Sequence, residues 1–478
     1  MPNDMMSGPR EGGGGVKRTS VISAVCCCLA VILQLTAYAT LKAPFFGLAF
    51  LLLGCLLFHP RSPLGGRLEL ESFLLSFTVC SLWAGIAGVF SVYLDDPSQK
   101  GDPLWFFTLA TETGAGLALD DIRGLTAGSG AVLAWRSLYD LSSALGFEKG
   151  PYIAVAFNTF IVSAAGVVAV KTARLIFGDD RPRAERLMHL FALCGIFWLF
   201  AATHMRDGFV LLLNTLLVHA WACYLMRPRL SAAALLLLAS IAGVVALLYL
   251  RTEFLFLPVA LLLAGGGAMF VSGQLTRPSG ILTILLIVGA AVLCIPMMPS
   301  SVTDLLRLVT GQAELYGEFA KSLDNSGSSL GVTYVINQPM PVRLAAGFFY
   351  LQIFPIPFWS GFSEVGIYHL LKALNGIFMW FAVPLAALGA CRSLQVKEKT
   401  RKSALLFMAF VYAGMTFAIA ATSLETRHVG AFLVPLLILA TVPDLRAQPD
   451  IRAHRMLLRA WLGMILCIHI AWTVLKFV

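Results

Sequence analysis

The stretch LMHLFALCGIFWLFAATHMRDGFVLLLNTLLVHAWACYLM, residues 187–226, decides the fold class. Residues 187–203 and 208–226 are almost wholly apolar, and the connection between them, His204-Met205-Arg206-Asp207, carries two charges. The hydrocarbon core of a bilayer is about 30 Å thick and takes roughly 20 apolar residues per helix. Two runs near that length, joined by four residues, read as a helical hairpin whose turn lies at a membrane surface.

The same unit recurs along the chain. Of 478 residues, 58% are hydrophobic and 13% charged, about half the charged share of a soluble protein. That composition excludes a soluble globular chain. Candidate spans are predicted at 20–41, 43–59, 73–94, 151–176, 187–203, 208–226, 230–250, 254–272, 281–299, 368–391, 403–424, 428–444 and 460–477. The predicted fold is an all-α polytopic membrane protein of about 12–13 transmembrane helices. A disordered cytoplasmic segment 1–19 precedes a single transmembrane domain, 20–478. The first apolar run follows Lys17 and Arg18 and ends near Ala37-Tyr38-Ala39, as a cleaved secretory signal would. The next run starts just after Lys42, which fits a tight hairpin better.

Sorting the charges by side sets an orientation. With the N-terminus in the cytoplasm, cytoplasmic segments hold 22 of the 35 basic residues and 10 of the 26 acidic ones. The formal +9 then divides into a surplus of 12 inside and a deficit of 3 outside, as the positive-inside rule requires. The run Lys397–Lys402 and the stretch Arg446–Arg459 contribute most. The basic excess therefore calls for no nucleic acid, and no basic run is dense enough to bind one. The ten cysteines lie in or beside apolar stretches, without CxxC pairs or histidines at metal-ligand spacing.

Two outer loops are long, about 95–150 and 300–367, and read as caps over a membrane cavity. Within the second, 302–323 has the spacing of an interfacial amphipathic helix, and Asp324 to Ser329 break it. Segment 344–359 (LAAGFFYLQIFPIPFW) is short, holds two prolines and reads as re-entrant or interfacial.

Three short outer connections each set a cation beside a carboxylate: Arg206-Asp207, Arg251-Thr252-Glu253 and Glu425-Thr426-Arg427-His428. Ionisable groups at a hydrocarbon boundary are costly unless paired or facing water, so they mark a functional cavity by default. The plainer alternative is polar turns with snorkelling arginines. Guanidinium groups bind phosphate as a bidentate fork, and Asp or Glu can deprotonate an attacking hydroxyl. Together they suit displacement of a lipid-linked pyrophosphate by a sugar hydroxyl, with Arg206, Arg251 and Arg427 on the phosphates and Asp207, Glu253 or Glu425 as base. No nucleotide-binding or metalloenzyme motif is present, so the expected chemistry needs no metal and no cofactor.

Asn158, the Phe197-Trp198 and His204–Gly208 stretch, Leu250-Arg251, Gly327-Ser328-Ser329-Leu330-Gly331, Phe354–Trp359 and Glu425–His428 follow one another in an order that resembles the bacterial oligosaccharide repeat-unit polymerases, the O-antigen and exopolysaccharide polymerase group. The resemblance covers about 100–445. It implies that Arg206, Asp207 and Arg427 bind a polyprenyl pyrophosphate and orient the acceptor, and that an early Asp before an aromatic is Asp102 with Trp105. In that group the late arginine is often followed by Tyr; this chain has His428. The implied setting is the outer face of a bacterial inner membrane. The implied partners are a polyprenyl-pyrophosphate-linked oligosaccharide, the bilayer and other polysaccharide assembly proteins. Transfer of one sugar from a polyprenyl phosphate, and a lipid-oligosaccharide flippase, are the alternative functions.

Remaining candidates have competing readings. Asp207 suits a helix-start carboxylate as well as a catalytic one. His204 and His428 suit structural hydrogen bonding, Arg343 a phosphate contact, and the aromatic set from Phe348 to Trp359 an interfacial belt or sugar stacking. Glu112, Asp120, Asp121 and Arg123 read as a solvated loop or a second acid-base group.

Overall fold

The computed structural model describes residues 14–41, 45–93, 102–111, 129–178, 180–254, 256–274, 335–359 and 366–477, with 311 and 362; side chains of 14–20, 37–41, 90–93, 252 and 475–477 are not described. The candidate span 281–299, the helix 302–323 apart from Gly311, the Asp324–Gly331 turn and Glu112–Arg123 lie outside these residues.

The chain is a multi-pass helical membrane protein. Lipid offers no partner for backbone N–H and C=O groups, which confines a spanning chain to helices or closed barrels, and no strand occurs among the described residues. In chain order the helices are α1 (Gly14–Leu41), α2 (Phe46–Phe58), α3 (Arg67–Tyr93), α4 (Asp102–Thr111), α5 (Ser129–Ala144), α6 (Tyr152–Phe177), α7 (Arg181–Ala192), α8 (Gly195–Ala202), α9 (Asp207–Met226), α10 (Leu230–Leu250), α11 (Leu257–Val271), α12 (Met340–Ile353), α13 (Ile367–Leu394), α14 (Lys399–Thr422), α15 (Thr426–Gly430), α16 (Leu433–Ala440) and α17 (Gln448–Phe477). Seven are long and apolar enough to cross a membrane: α3, α6, α9, α10, α13, α14 and α17. The expected spans 20–41, 43–59 and 254–272 contain shorter apolar helices.

Burial orders the bundle. The apolar window of α6 is 78% buried, against 22% for α10 and 11% for α17, so α6 is central while α10 and α17 turn most of their surface outward. Contacts between helix ends define two poles. At one, Arg174 of α6 meets Glu69 of α3 at 2.6 Å, Arg186 donates to the Pro443 carbonyl at 2.8 Å, and Arg392 of α13 meets Asp450 of α17. At the other lie the connections α8–α9, α10–α11 and α14–α15.

Two expected spans are broken in the structure. Residues 187–203 belong to α7 and α8, which meet at 54° across Leu193-Cys194. The break leaves helix-end groups inside the protein, and side chains take them up: Asn375 Oδ1 of α13 accepts from the Ile196 amide at 3.2 Å, and Trp198 Nε1 donates to the Ala192 carbonyl at 2.7 Å. Gly195 lets the α13 backbone approach; a Cβ there would lie 2.8 Å from Asn375 N and 2.9 Å from Leu371 O. Residues 428–444 likewise form the short α15 and α16, and every side chain of α16 is buried. Of the expected re-entrant segment 344–359, residues 344–353 lie in α12, whose 14 residues measure about 21 Å and fall short of the roughly 30 Å hydrocarbon core, and 354–359 are not helical.

Gly195→Ala is therefore expected to lower the thermal midpoint of the detergent-solubilised protein, because a methyl group must displace backbone. Gly85→Ala, where a Cβ meets nothing within 4 Å, is the control and leaves the midpoint unchanged or slightly raised.

Candidate functional site

The three charged connections converge at one pole, and there they exchange partners. Arg206 is paired not with its neighbour Asp207 but with Glu253, at 3.7 Å, and it donates to the Leu250 carbonyl at 3.3 Å. Asp207 accepts instead from Arg251 across the α9–α10 interface, and both side chains are buried. Arg251 also contacts His428, whose Nδ1 lies 2.7 Å from Ser423 Oγ, and stands 3.7 Å from Glu253. Glu425 binds Lys372 of α13 at 2.6 Å, and Arg427 holds Asp102 of α4 with two nitrogens, each at 3.2 Å. Four cations (Arg206, Arg251, Arg427, Lys372) and four carboxylates (Asp102, Asp207, Glu253, Glu425) thus form one interlocked group.

Local structure explains why each side chain sits where it does. Asp207 stands in the first turn of α9 without capping it, so its carboxylate is free to reach Arg251. Glu425 is the N-cap of α15, accepting from the Arg427 amide. Just before it Leu424 has φ +50°, a left-handed residue that ends α14 and turns the chain toward the pole. Asn158 of α6 holds the α8–α9 connection by donating to the carbonyls of Thr203 and Met205 at 3.0 and 3.1 Å, and it accepts from Trp135 Nε1. Gly430 lets α15 press on α8, where a Cβ would lie 2.6 Å from Ile196.

Aromatic faces cover the cations. Arg206 lies over Phe106 at 5.7 Å, Arg251 over Phe254 at 4.9 Å and Lys372 over Tyr368 at 4.4 Å. Three of the four carboxylates face outward more: side-chain exposure is 57% for Asp102, 34% for Glu253 and 29% for Glu425, against 14% for Arg206 and 19% for Arg427, while Asp207 is buried. Arg427 Nε is buried without a hydrogen-bond partner among the described residues.

Electrostatics separate the titratable groups. Burial alone would raise the Glu425 carboxyl, but Lys372 and then Arg427 outweigh it and hold it below the ordinary carboxylate range, so it is ionised at neutral pH. Burial, then Arg251 and Arg427, push His428 well below an ordinary imidazole, and burial pushes His204 down to about 3. Both histidines are neutral at pH 7. His204 packs on Trp135 and lies 3.0 Å from the Tyr139 hydroxyl, the structural role open to it from the sequence.

Of the expected site residues, Arg206, Asp207, Arg251, Glu253, Glu425, Arg427, His428 and Asp102 are brought together. Arg343 is not: its guanidinium donates to the Ala420 and Thr422 carbonyls at 3.1 and 2.7 Å, satisfying the end of α14. Lys372 is the member that sequence reasoning missed; its signal is a cation near the start of a largely apolar 28-residue helix, far from the Arg392 that ends it. Among the described residues no three His, Cys, Asp or Glu side chains gather as a metal site. Compared with known families and curated proteins, the chain matches no family model and no curated sequence.

Two measurements test this arrangement. Removing one member of the buried Arg251–Asp207 pair strands the other, so Arg251→Gln and Asp207→Asn each are expected to cost about 3–5 kcal/mol of stability, and the double variant less than their sum. His204 is neutral when folded but protonates near 6.5 when unfolded, so the unfolded chain binds the extra proton as pH falls below 6.5 toward 3. The thermal midpoint of the wild type should therefore fall between pH 7 and 5, and fall less steeply for His204→Gln.

Proposed function

We propose that this protein is a metal-independent membrane glycosyltransferase that polymerises polyprenyl-pyrophosphate-linked oligosaccharide repeat units at the outer face of a bacterial inner membrane, for a surface polysaccharide. The observation that carries the reading is the convergence of Arg206, Arg251 and Arg427 with four carboxylates at one pole of the bundle. The excess of basic residues at the opposite pole favours an N-terminus in the cytoplasm and this pole outside.

The donor's pyrophosphate is the stronger ligand for guanidinium forks. On binding it displaces Asp102 from Arg427 and Glu253 from Arg206, and the lipid tail lies along the apolar helices. An acceptor sugar hydroxyl attacks the anomeric carbon of the donor. The bond from that carbon to the pyrophosphate oxygen breaks, the electron pair leaves with the lipid pyrophosphate, and the hydroxyl proton passes to a carboxylate: Glu253, which faces Arg206 and Arg251, or Asp207, which faces Arg251. Arg206 and Arg427 stabilise the charge that grows on the leaving group. Arg251, buried against Asp207 and His428, holds the constellation in place, and Glu425 with Lys372 fixes the start of α15.

Single Arg→Lys changes at 206, 251 and 427 keep the charge and lose the fork. The changes at 206 and 427 are each expected to lower polymerisation by about 10²–10³-fold, the typical cost of one transition-state donor, and the change at 251 to lower it by loosening the constellation. The readout is the surface-polysaccharide ladder on a gel, at matched protein level in the native host. A normal ladder in all three variants rules the site out.

One observation favours a second reading, transfer of a single sugar from a polyprenyl phosphate: the exposed Asp102 of the first large loop sits on Arg427. Under it Asp102 is the base, and Asp102→Asn abolishes turnover. Under polymerisation Asp102 only yields its place to the donor, and the same variant retains most activity.

A further inference from the structure

Lys372 and Arg392 both belong to α13, and their separation of twenty positions spans about 30 Å. The pole around Arg392 is thus remote from the group at Asp207. There a cavity of about 250 Å³ opens between α7, α13, α14 and the segment leading into α17, lined by Arg183, Arg392, Arg401, Asp444, Asp450 and apolar side chains. Both carboxylates are already committed. Asp450 accepts from Arg392 Nε at 2.7 Å and from the Asp444 amide at 2.8 Å, while Asp444 accepts from the Arg446 amide at 3.0 Å. Arg183 is held by Asp180 at 3.1 Å.

Arg401 is left over. It has no carboxylate within 4.0 Å among the described residues, and its Nε is buried without a hydrogen-bond partner. Its guanidinium lies over the Phe177 ring at 5.2 Å, and that of Arg183 lies over the same ring at 5.3 Å. Two like charges seated on one ring beside an open cavity repel, and a shared anion relieves that repulsion. Arginine forks match tetrahedral phosphate oxygens, and basic recesses between transmembrane helices at a membrane surface suit phosphate headgroups.

We propose that this cavity is a phosphate-binding site, occupied by the headgroup of an anionic phospholipid or by free phosphate, with Arg401 and Arg183 as its principal ligands. It owes nothing to the chemistry proposed for the opposite pole.

The test uses the full-length protein in phosphatidylcholine nanodiscs, its thermal midpoint followed by tryptophan fluorescence. Inorganic phosphate is titrated against chloride at equal ionic strength, and in a second arm phosphatidylglycerol replaces part of the phosphatidylcholine. A ligand that binds only the folded chain raises the midpoint with concentration. Stabilisation by phosphate identifies the free anion, and stabilisation by phosphatidylglycerol alone identifies the lipid. In either case Arg401→Gln should weaken the half-saturating concentration at least about tenfold, the worth of a charge-assisted hydrogen bond. Arg183→Gln serves as the second variant should Arg401→Gln not fold. No stabilisation of the wild type in either arm, or equal stabilisation of wild type and both variants, overturns the proposal.

Discussion

The buried contact between Arg251 and Asp207 is the constraint around which the rest is arranged. Two full charges taken out of water repay their desolvation only with close geometry and further hydrogen bonds. Here the geometry comes from exchange: Arg206 and Arg427 take carboxylates from other elements, Glu253 and Asp102, and Arg251 sets its closest contact on Asp207 while standing 3.7 Å from its own neighbour Glu253. A hairpin that paired its own charges would be self-sufficient and indifferent to its neighbours. Because Arg206 needs Glu253 and Arg251 needs Asp207, the α8–α9 and α10–α11 connections must meet. His428 then ties α15 to the α10–α11 connection through Arg251, while Ser423 at the end of α14 holds its other ring nitrogen.

The connections reach one another because helices stop short of full spans. The bend between α7 and α8 and the division into α15 and α16 both leave backbone groups unpaired deep in the protein, a cost that lipid cannot offset. Asn375 and Asn158 meet it from neighbouring helices at the two ends of α8, and Asn214 of α9 donates to the Ala431 carbonyl between α15 and α16. Small residues at Gly195 and Gly430 then let backbones approach where a longer side chain would hold them apart.

Much of this is legible in the amino-acid chain, and the limits are physical. Apolar length marks membrane helices because the requirement is local, and charge asymmetry predicts an orientation because it is additive along the chain. The candidate arginines of the three connections are visible for the same reason: a charge at a hydrocarbon boundary stands out against 58% apolar sequence. Partner choice is not local. Asp207 looks like a helix-start carboxylate until Arg251, 44 residues away, is brought to it. The break at Leu193-Cys194 lies in an unbroken apolar run, since the residue that makes it tolerable, Asn375, is 179 positions from the amide it serves. Arg343 shows the converse. It stands beside a proline-rich segment that suggests a ligand, yet its guanidinium is consumed by the last carbonyls of α14.

Equal numbers of cations and carboxylates at the Asp207 pole have a kinetic meaning. A group whose charges cancel projects little field beyond its own rim, so an anion in bulk solvent feels no pull toward it and salt has little to screen. Under the function proposed above, recognition there works only at contact, by trading one anionic partner for another. Such a site is slow to collect stray phosphates from solution and favours a ligand already held at the membrane surface, where diffusion runs in two dimensions.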